Sequence, residues 1–596
     1  MKAYSSRKDV PVHETWDLTD IYATLETWEA DYKTIEEMIE QLKTFDGTIN
    51  DARSLCDYLQ LKENARYLYG KLYVYAHLQM DLDTRVSASQ ALLDKATRLG
   101  QNMSSATSFF MPFLLSLEET TLKSYIEEVK ELAYFEDDLL EAYRYKKHVL
   151  SKEKEEVLSK MGEAFSSPKQ TFGMINNADI RFGEITDEKG DKIRLTRGMY
   201  SKLIEDEDRD KRKEAYHAYY EPYVQLQNTI ASTLSSAIKN NVLISEMRQY
   251  PSALERSLFS DMIPKEVYDN LIQSTKQNIK PLHDYMNIRK KQLDVEELRA
   301  YDLSVPLVNG MRQEISYDEA YDIMLKSLQP LGKEYVETLK SFKEKRYIDV
   351  RETPGKRSGA YNLGLYGVHP FVLLNHQDDL DSLFTLTHEM GHAMHSYYSS
   401  KHQPQIKAGY SIFVAEVAST VNEILLIRHL LSNTNDPQMK MHLLNHFIDQ
   451  FKGTFFTQVM FGEFEKITHE KTENGEPLNA DAFSRIYENL FREYNGNDIV
   501  FDDEVKYGWT RIPHFYRPFY VYKYATGFAS AIHLADKLLE GDQAAQQAYL
   551  TFLKSGSSDY PLELLKRAGI DLSKQEPIQH ALSIFAGLVD DFSKQL

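Results

Sequence analysis

The sequence predicts a mainly α-helical protein with a small β element, and three observations carry that expectation. Apolar residues recur three and four positions apart over most of the 596 residues, the spacing that lines one face of a helix. Glycine and proline are few for this length, 26 and 18, so long helices run with little punctuation. Only two stretches break the helical period, around 180–196 and 347–376, and both read as short strands.

A chain of 596 residues exceeds what one core usually holds, so two or more lobes are expected. The boundary is placed at the first break, giving a helical N-terminal lobe over 1–195 and a second lobe over 196–596. Ninety acidic against seventy basic side chains leave a net charge of −20, which argues against nucleic acid or an anionic membrane as partner. No window approaches the ~18 apolar residues of a membrane span, and the N-terminal stretch lacks the apolar core of a secretory signal. A single cysteine, Cys56, excludes an intramolecular disulfide and fits a reducing compartment, so a cytoplasmic protein is expected. Cys56 sits in a helical pattern and reads as a buried structural thiol.

Taken in order, residues 1–20 read as an extended arm punctuated by Pro11. Helices are expected over 25–43, 55–80, 87–110 with Pro112 as the stop, 117–133, 138–147 and 151–165. Ile180 to Thr196 flank Asp187-Glu188-Lys189-Gly190-Asp191, a hairpin pattern with a glycine-containing loop. Helical periods return over 206–245, 265–293, 316–328 and 332–345, with Pro264 suited to a helix first turn. Between 347 and 376 a glycine-rich run, Gly359 to Gly367, leads into an apolar strand over 370–375. That element is either an ordinary connector or an edge strand able to hold an extended peptide by main-chain hydrogen bonds. Beyond it, helices fit 413–431, 437–457, 459–471, 480–493 and 517–539, then pieces broken at Gly556, Pro561 and Gly569.

The stretch 383–395 carries the strongest chemical signal. It reads His388-Glu389-Met390-Gly391-His392 inside an apolar helical run. Histidines four apart project from one helix face one turn apart, which suits two ligands of one zinc ion, while Glu389 is turned aside towards a water. A catalytic zinc wants a third protein ligand. Downstream, Glu416, Ser419 and Glu423 form one stripe on an apolar helix, where carboxylates are costly unless paired or on a metal. Glu416 is the expected third ligand, and Glu423 the acceptor for the free ring N–H of a ligand histidine. His395 competes from nearly the same face as His392. A helix bends too little for three such side chains to meet at one ion, so His395 is expected to support a ligand or touch substrate.

These residues carry a family resemblance. His388 to His395, with Glu416-x-x-Ser419 and the Gly359–Asn375 segment, resembles the zinc oligopeptidases of family M3, the thimet oligopeptidase and oligoendopeptidase F group, and is most similar to the latter. The resemblance covers nearly the whole chain and is weaker before residue 200. It implies a mainly helical, two-lobed metallopeptidase with the zinc in a deep central channel and a small sheet beside the zinc helix. It further implies one zinc per chain on His388, His392 and Glu416, and short unstructured peptides as substrates. The family also uses a late His and Tyr cluster. The matching stretch here is 511–527, with His514, Tyr520 and Tyr524, and it lacks the Gly-Gly pair of the thimet branch. Tyr520 and Tyr524 share a helix face and Tyr522 points elsewhere. The three read either as an aromatic core stripe or as including a phenol that donates to an oxyanion.

The expected chemistry is metal-assisted hydrolysis of internal peptide bonds. Glu389 takes a proton from the attacking water, His514 with Tyr520 or Tyr524 holds substrate or oxyanion, and Gly359, Ala360 and Tyr361 align the peptide backbone. Two other readings stay open: a zinc exopeptidase, and a catalytically inactive helical peptide-binding protein. Oligomeric state is not legible in the sequence.

Overall fold

The computed structural model describes residues 4–187, 189–308 and 314–596. Glu188, in the expected hairpin loop, lies outside the described residues, as do 1–3 of the expected arm. The chain divides into two compact units, each assembled from three separate stretches: 1–149, 313–426 and 534–568 form the first, and 150–312, 427–533 and 569–596 the second. Because both are discontinuous, neither coincides with a cut at residue 195.

In the first unit, helices Leu25–Lys43, Ala52–Leu82 and Ser87–Ala106 pack their apolar faces together. Each starts where the sequence supplies a reason. Thr24 caps the first by accepting from the Thr27 amide, and Asp51 and Ser54 make a reciprocal capping box on the second. Trp28, Ile35, Leu72, Leu78 and Leu99 form one core, which also takes in Leu365, Phe371 and Leu373 of the glycine-rich segment. Cys56 is fully buried in a second core with Leu42, Leu55, Tyr58 and Leu122. Pro112 does not end the third helix. That helix stops at Ala106, and Pro112 lies in the first turn of a separate helix, Phe110–Ser116, where a missing N–H is harmless.

The 347–376 break is a three-stranded sheet. Phe371–Leu373 lies in the middle, parallel to Ile348–Asp349 and antiparallel to Tyr361–Leu363, which is left at the edge. The arm before residue 21 forms three short 3-10 turns instead of an extended strand. It is pinned to this region by ions: Arg7 to Asp349, Glu14 to Arg351, and Arg346 to Asp17. Arg351 also grips Asp378, immediately before the helix Leu380–His402 that bears the His-Glu motif. The helix start is fixed by Asp379, whose side chain accepts from the Ser382 amide at 2.8 Å.

In the second unit the expected hairpin pairs Glu184–Thr186 with Lys192–Arg194. Several expected helices differ in extent. The one from 151 continues to Met174 through Pro168, and 206–245 divides at Leu226 into Arg209–Gln225 and Gln227–Met247. A π turn at Lys452–Phe456 joins Pro437–Phe451 to Thr457–Glu473. The helix expected from 517 begins only at Tyr522. Pro518 disfavours helix at its predecessor, and Phe519 takes a left-handed φ of 53° with its amide donating to the buried Glu465 carboxylate at 2.9 Å. Among the described residues no helix is long and apolar enough to cross a membrane.

Candidate active site

Within the first unit, Leu380–His402 lies against the part of the helix Ile412–Asn433 that runs to Leu426. The contact is made at Gly391. A β-carbon there would stand 2.5 Å from Ser419 Cα and 2.6 Å from the Ala418 carbonyl oxygen, so only glycine lets the two backbones approach this closely. Asn422 ties the pair a turn away, donating to the Thr387 carbonyl at 3.3 Å while its own oxygen accepts from Tyr335 at 3.0 Å.

That approach brings the motif histidines to the carboxylate stripe. His388 Nε2 and His392 Nε2 each lie 3.5 Å from the same oxygen, Glu416 Oε2. The two rings are 4.8 Å apart and nearly perpendicular, at 82°. On its other side His388 Nδ1 meets Glu423 Oε1 at 2.7 Å. Ser419 holds Glu416 in place, its hydroxyl 3.2 Å from Oε2. Burial opposes the charged form of His388, but the Glu423 carboxylate outweighs it and lifts the imidazole pKa to about 9. Burial likewise opposes ionised Glu416, yet the hydrogen bond and charge of His392, with the charge of His388, hold it at about 2. Glu389 is 7% exposed, and its Oε2 is buried with no hydrogen-bond partner, so burial pushes its pKa up.

His395 goes elsewhere. It is 1% exposed, stacks on Tyr410 with centroids 3.8 Å apart and planes 5° apart, and also packs on Phe552. Burial holds its pKa down at about 3, so it is a neutral ring. The edge strand Tyr361–Leu363 is bound to the motif helix by Asn362, which donates to Ser396 Oγ at 3.0 Å. Tyr361 donates to Asp81 at 2.7 Å. Gly359 adopts a φ of 83°, and its carbonyl is already taken by Asn375 Nδ2 at 2.7 Å; Ala360 follows it into the strand. A cavity of about 490 Å³ beside the strand is lined by Asn362, Gly364, Ser396, Gly409 and Tyr410 among others.

In the second unit His514, Tyr520 and Tyr524 form one cluster. The Tyr520 and Tyr524 hydroxyls are 3.4 Å apart, and His514 lies 6.2 and 6.3 Å from their ring centroids. Arg517 sits 3.8 Å over the Tyr520 ring. Tyr522 instead enters the core against Tyr268 at 5.0 Å. Burial, with Arg517 nearby, lowers the His514 pKa.

Sequence reasoning passed over three side chains that shape the first unit's site. Asn422 carried a signal, a polar residue on an otherwise apolar helix. Tyr410 and Asp81 carried none, since each gains its role only from where another segment packs.

Two imidazole nitrogens and one carboxylate oxygen, all within 4.8 Å of one another, make the single such metal-capable group found among the described residues. Zinc bonds of about 2.0–2.1 Å arranged as a tetrahedron would set ligand atoms roughly 3.3–3.4 Å apart, close to the 3.5 Å separations here, so the donor set fits that ion.

The chain is similar to known peptidases. The profile of "Peptidase family M3" matches residues 202–584 and that of "Oligopeptidase F" matches 114–182. Oligopeptidase PepF of Bacillus subtilis is 42% identical over 99% of this chain and 88% of its own. A solved structure from Chlamydophila abortus superposes with a TM-score of 0.92 at 34% identity, covering 99% of this chain and 100% of that one. The crystal structure of oligoendopeptidase-F from Enterococcus faecium gives 0.76 at 35% identity, with 96% and 99% covered.

Proposed function

Because the chain belongs to peptidase family M3, in its oligopeptidase F branch, and is a metalloendopeptidase, we propose that it uses one zinc per chain to hydrolyse internal bonds of short unstructured peptides, with Glu389 as general base. One observation carries the reading: two histidine Nε2 atoms meet one carboxylate oxygen at 3.5 Å each, beside the buried, unpartnered Oε2 of Glu389.

In this proposal His388, His392 and Glu416 hold the zinc. When bound, the ion supplies Lewis acidity, which acidifies water and polarises the scissile carbonyl. Glu423 fixes the His388 tautomer by accepting its Nδ1–H, and so aims Nε2 at the metal. Glu389 accepts the proton of the water that attacks the carbonyl carbon. As the carbon–nitrogen bond breaks, the same carboxyl returns that proton to the leaving amine. Its burial raises its pKa, which suits a carboxyl that must both take and return a proton. The free edge of Tyr361–Leu363 offers main-chain groups to an extended peptide, with Gly359 and Ala360 setting the entry of the strand. His395, through its stack on Tyr410, steadies the helix behind the ligands. The proposal gives His514, Tyr520 and Tyr524 the contacts to substrate and oxyanion.

The division of the chain is kept in a functional sense. Every proposed site residue follows residue 195, and residues 1–195 contribute bracing such as Asp81 under Tyr361. The match to family M3 starts at residue 202, in support of that division. A cytoplasmic location, with neither nucleic acid nor membrane as partner, is part of the same reading and rests on the acidic charge and the lone cysteine.

The test is digestion of a peptide blocked at both ends, with wild type and Glu389→Gln, each assayed for zinc. The variant should retain stoichiometric zinc and lose about 10³-fold or more in kcat, within the range removal of a general base causes. Near wild-type turnover would remove Glu389 from this role. Failure to cut the blocked peptide while free ends are trimmed would make the enzyme an exopeptidase.

A further inference from the structure

The second unit holds a cavity of about 200 Å³ with Tyr200, Tyr216, Tyr220, Tyr487, Lys452 and Arg511 in its wall. Two of these are cations. Arg511 donates Nε to the Tyr220 hydroxyl at 2.9 Å, with its guanidinium 5.9 Å from that ring's centroid. Among the described residues no carboxylate pairs with it. Its strongest electrostatic neighbours are Tyr220, Tyr487, Tyr219 and Tyr200. Burial raises the pKa values of Tyr200, Tyr216 and Tyr487, so these phenols stay neutral and supply no counter-charge.

Lys452 is little better compensated. Its ammonium donates to the Leu303 carbonyl at 2.6 Å and lies 3.7 Å from Asp449, a carboxylate it shares with Arg289, also at 3.7 Å. Burial, with Arg289 nearby, pulls its pKa down to about 8 against the pull of Asp449. Other acids of this unit are engaged: Asp302 by Arg209 and Arg212, and Glu504 by His217. A local surplus of positive charge thus lines this cavity, partly buried, in a chain whose net charge is −20. Partly buried cations are ordinarily paired, and Arg511 lacks a carboxylate partner among the described residues.

We propose that this cavity binds a small oxyanion of phosphate size, held by the Arg511 guanidinium with help from Lys452 and the surrounding tyrosine hydroxyls. The wall offers donors in the forms that suit an oxyanion: a planar guanidinium with its terminal N–H groups, an ammonium, and phenolic O–H groups. The cavity leaves room for a phosphate beside these donors. Arg511 lies two residues before the turn Pro513–Tyr516, so the anion also anchors the base of the segment that carries His514, Tyr520 and Tyr524. The site is separate from the metal group and does not depend on it.

The whole protein, in sodium gluconate at fixed ionic strength, is titrated with sodium phosphate, and separately with sodium chloride, by calorimetry and thermal unfolding. Phosphate should bind saturably and raise Tm, chloride should not match it, and Arg511→Gln should weaken phosphate at least tenfold. Lys452→Met should weaken it as well, and serves alone if the arginine variant fails to fold. A wild type with no saturable phosphate response overturns the site. Binding that is unchanged in the variants places phosphate elsewhere, the metal included, and equally overturns it. Chloride acting as well as phosphate refutes the oxyanion assignment.

Discussion

Replacing Gly391 by alanine should loosen zinc binding, although alanine is the better helix former. Helix propensity alone favours the change by about 1 kcal/mol. Against it stands the contact with the neighbouring helix. The new β-carbon would lie 2.5 Å from Ser419 Cα, 2.6 Å from the Ala418 oxygen and 2.8 Å from Ser419 N. All three are backbone atoms, so no rotamer change relieves them. Reaching ordinary contact near ~3.5 Å requires the helices to part by roughly 1 Å, and overpacking of this kind costs about 1–3 kcal/mol. Glu416 rides on the displaced helix and His388 and His392 on the other. A 1 Å shift is several times the roughly 0.2 Å tolerance of a metal–ligand bond. Zinc can then bind only by drawing the helices back against the clash, so the strain is charged to the metal: about 5- to 150-fold in Kd. The assay is competition for zinc between the metal-stripped protein and a chelator of known affinity, with circular dichroism to establish that the helices remain. A Gly391→Ala protein that folds and holds zinc with the wild-type Kd would refute the argument that this close approach sets the ligand geometry.

Three further outcomes are expected. Glu423→Gln keeps the size of the side chain but loses the charge facing His388 Nδ1 at 2.7 Å, so zinc affinity should fall about 10- to 100-fold, and an unchanged Kd would dismiss Glu423 as the orienting group. Tyr520→Phe and Tyr524→Phe should include at least one variant whose kcat drops about 10²-fold with zinc content intact, and a double variant of wild-type kcat would return both to the aromatic core. Stability should fall in acid through His469, a buried ring that donates Nδ1–H to the Glu465 carbonyl at 2.8 Å and accepts from Asn241 on Nε2 at 3.2 Å. Burial lowers its folded pKa to about 4 against about 6.5 unfolded, so the unfolded chain binds more protons between those values; the contribution is complete above pH ~6.5 and is lost towards pH ~4, roughly 3 kcal/mol in all. Denaturant unfolding at stepped pH should show a flatter acid slope in His469→Gln, and identical slopes would contradict the assignment.

What could be read from the sequence was whatever repeats locally. The histidines of the motif are one turn apart, and Glu416 and Glu423 two turns apart, so each helix announced its own donors through the 3.6-residue period. The helical ladder over 25–106 was legible for the same reason. Residues whose meaning depends on a distant segment were not. Pro112 looks like a stop in a linear reading and is harmless once it falls in a first turn. The late start of the helix at Tyr522 depends on Phe519 bonding to Glu465, 54 positions away. Arg511 sits in an aromatic run that resembles core, and its unpaired charge emerges only when Tyr200, Tyr220 and Tyr487 close around it.

The same distinction explains why donor pattern and metal site are different pieces of information. Two histidines on one helix and a carboxylate on another are two half-sites, and nothing in either period says how far apart the helices lie. In this chain that distance is carried by a residue with no side chain. Gly391 sits between Glu389 and His392, on the turn that faces Ser419, so the approach is closest where the ligands must converge. Asn422 then locks the register, since its bond to the Thr387 carbonyl fixes which turn of one helix opposes which turn of the other. A chain with every ligand intact and a larger residue at 391 would still match the motif, and would be expected to hold its metal poorly.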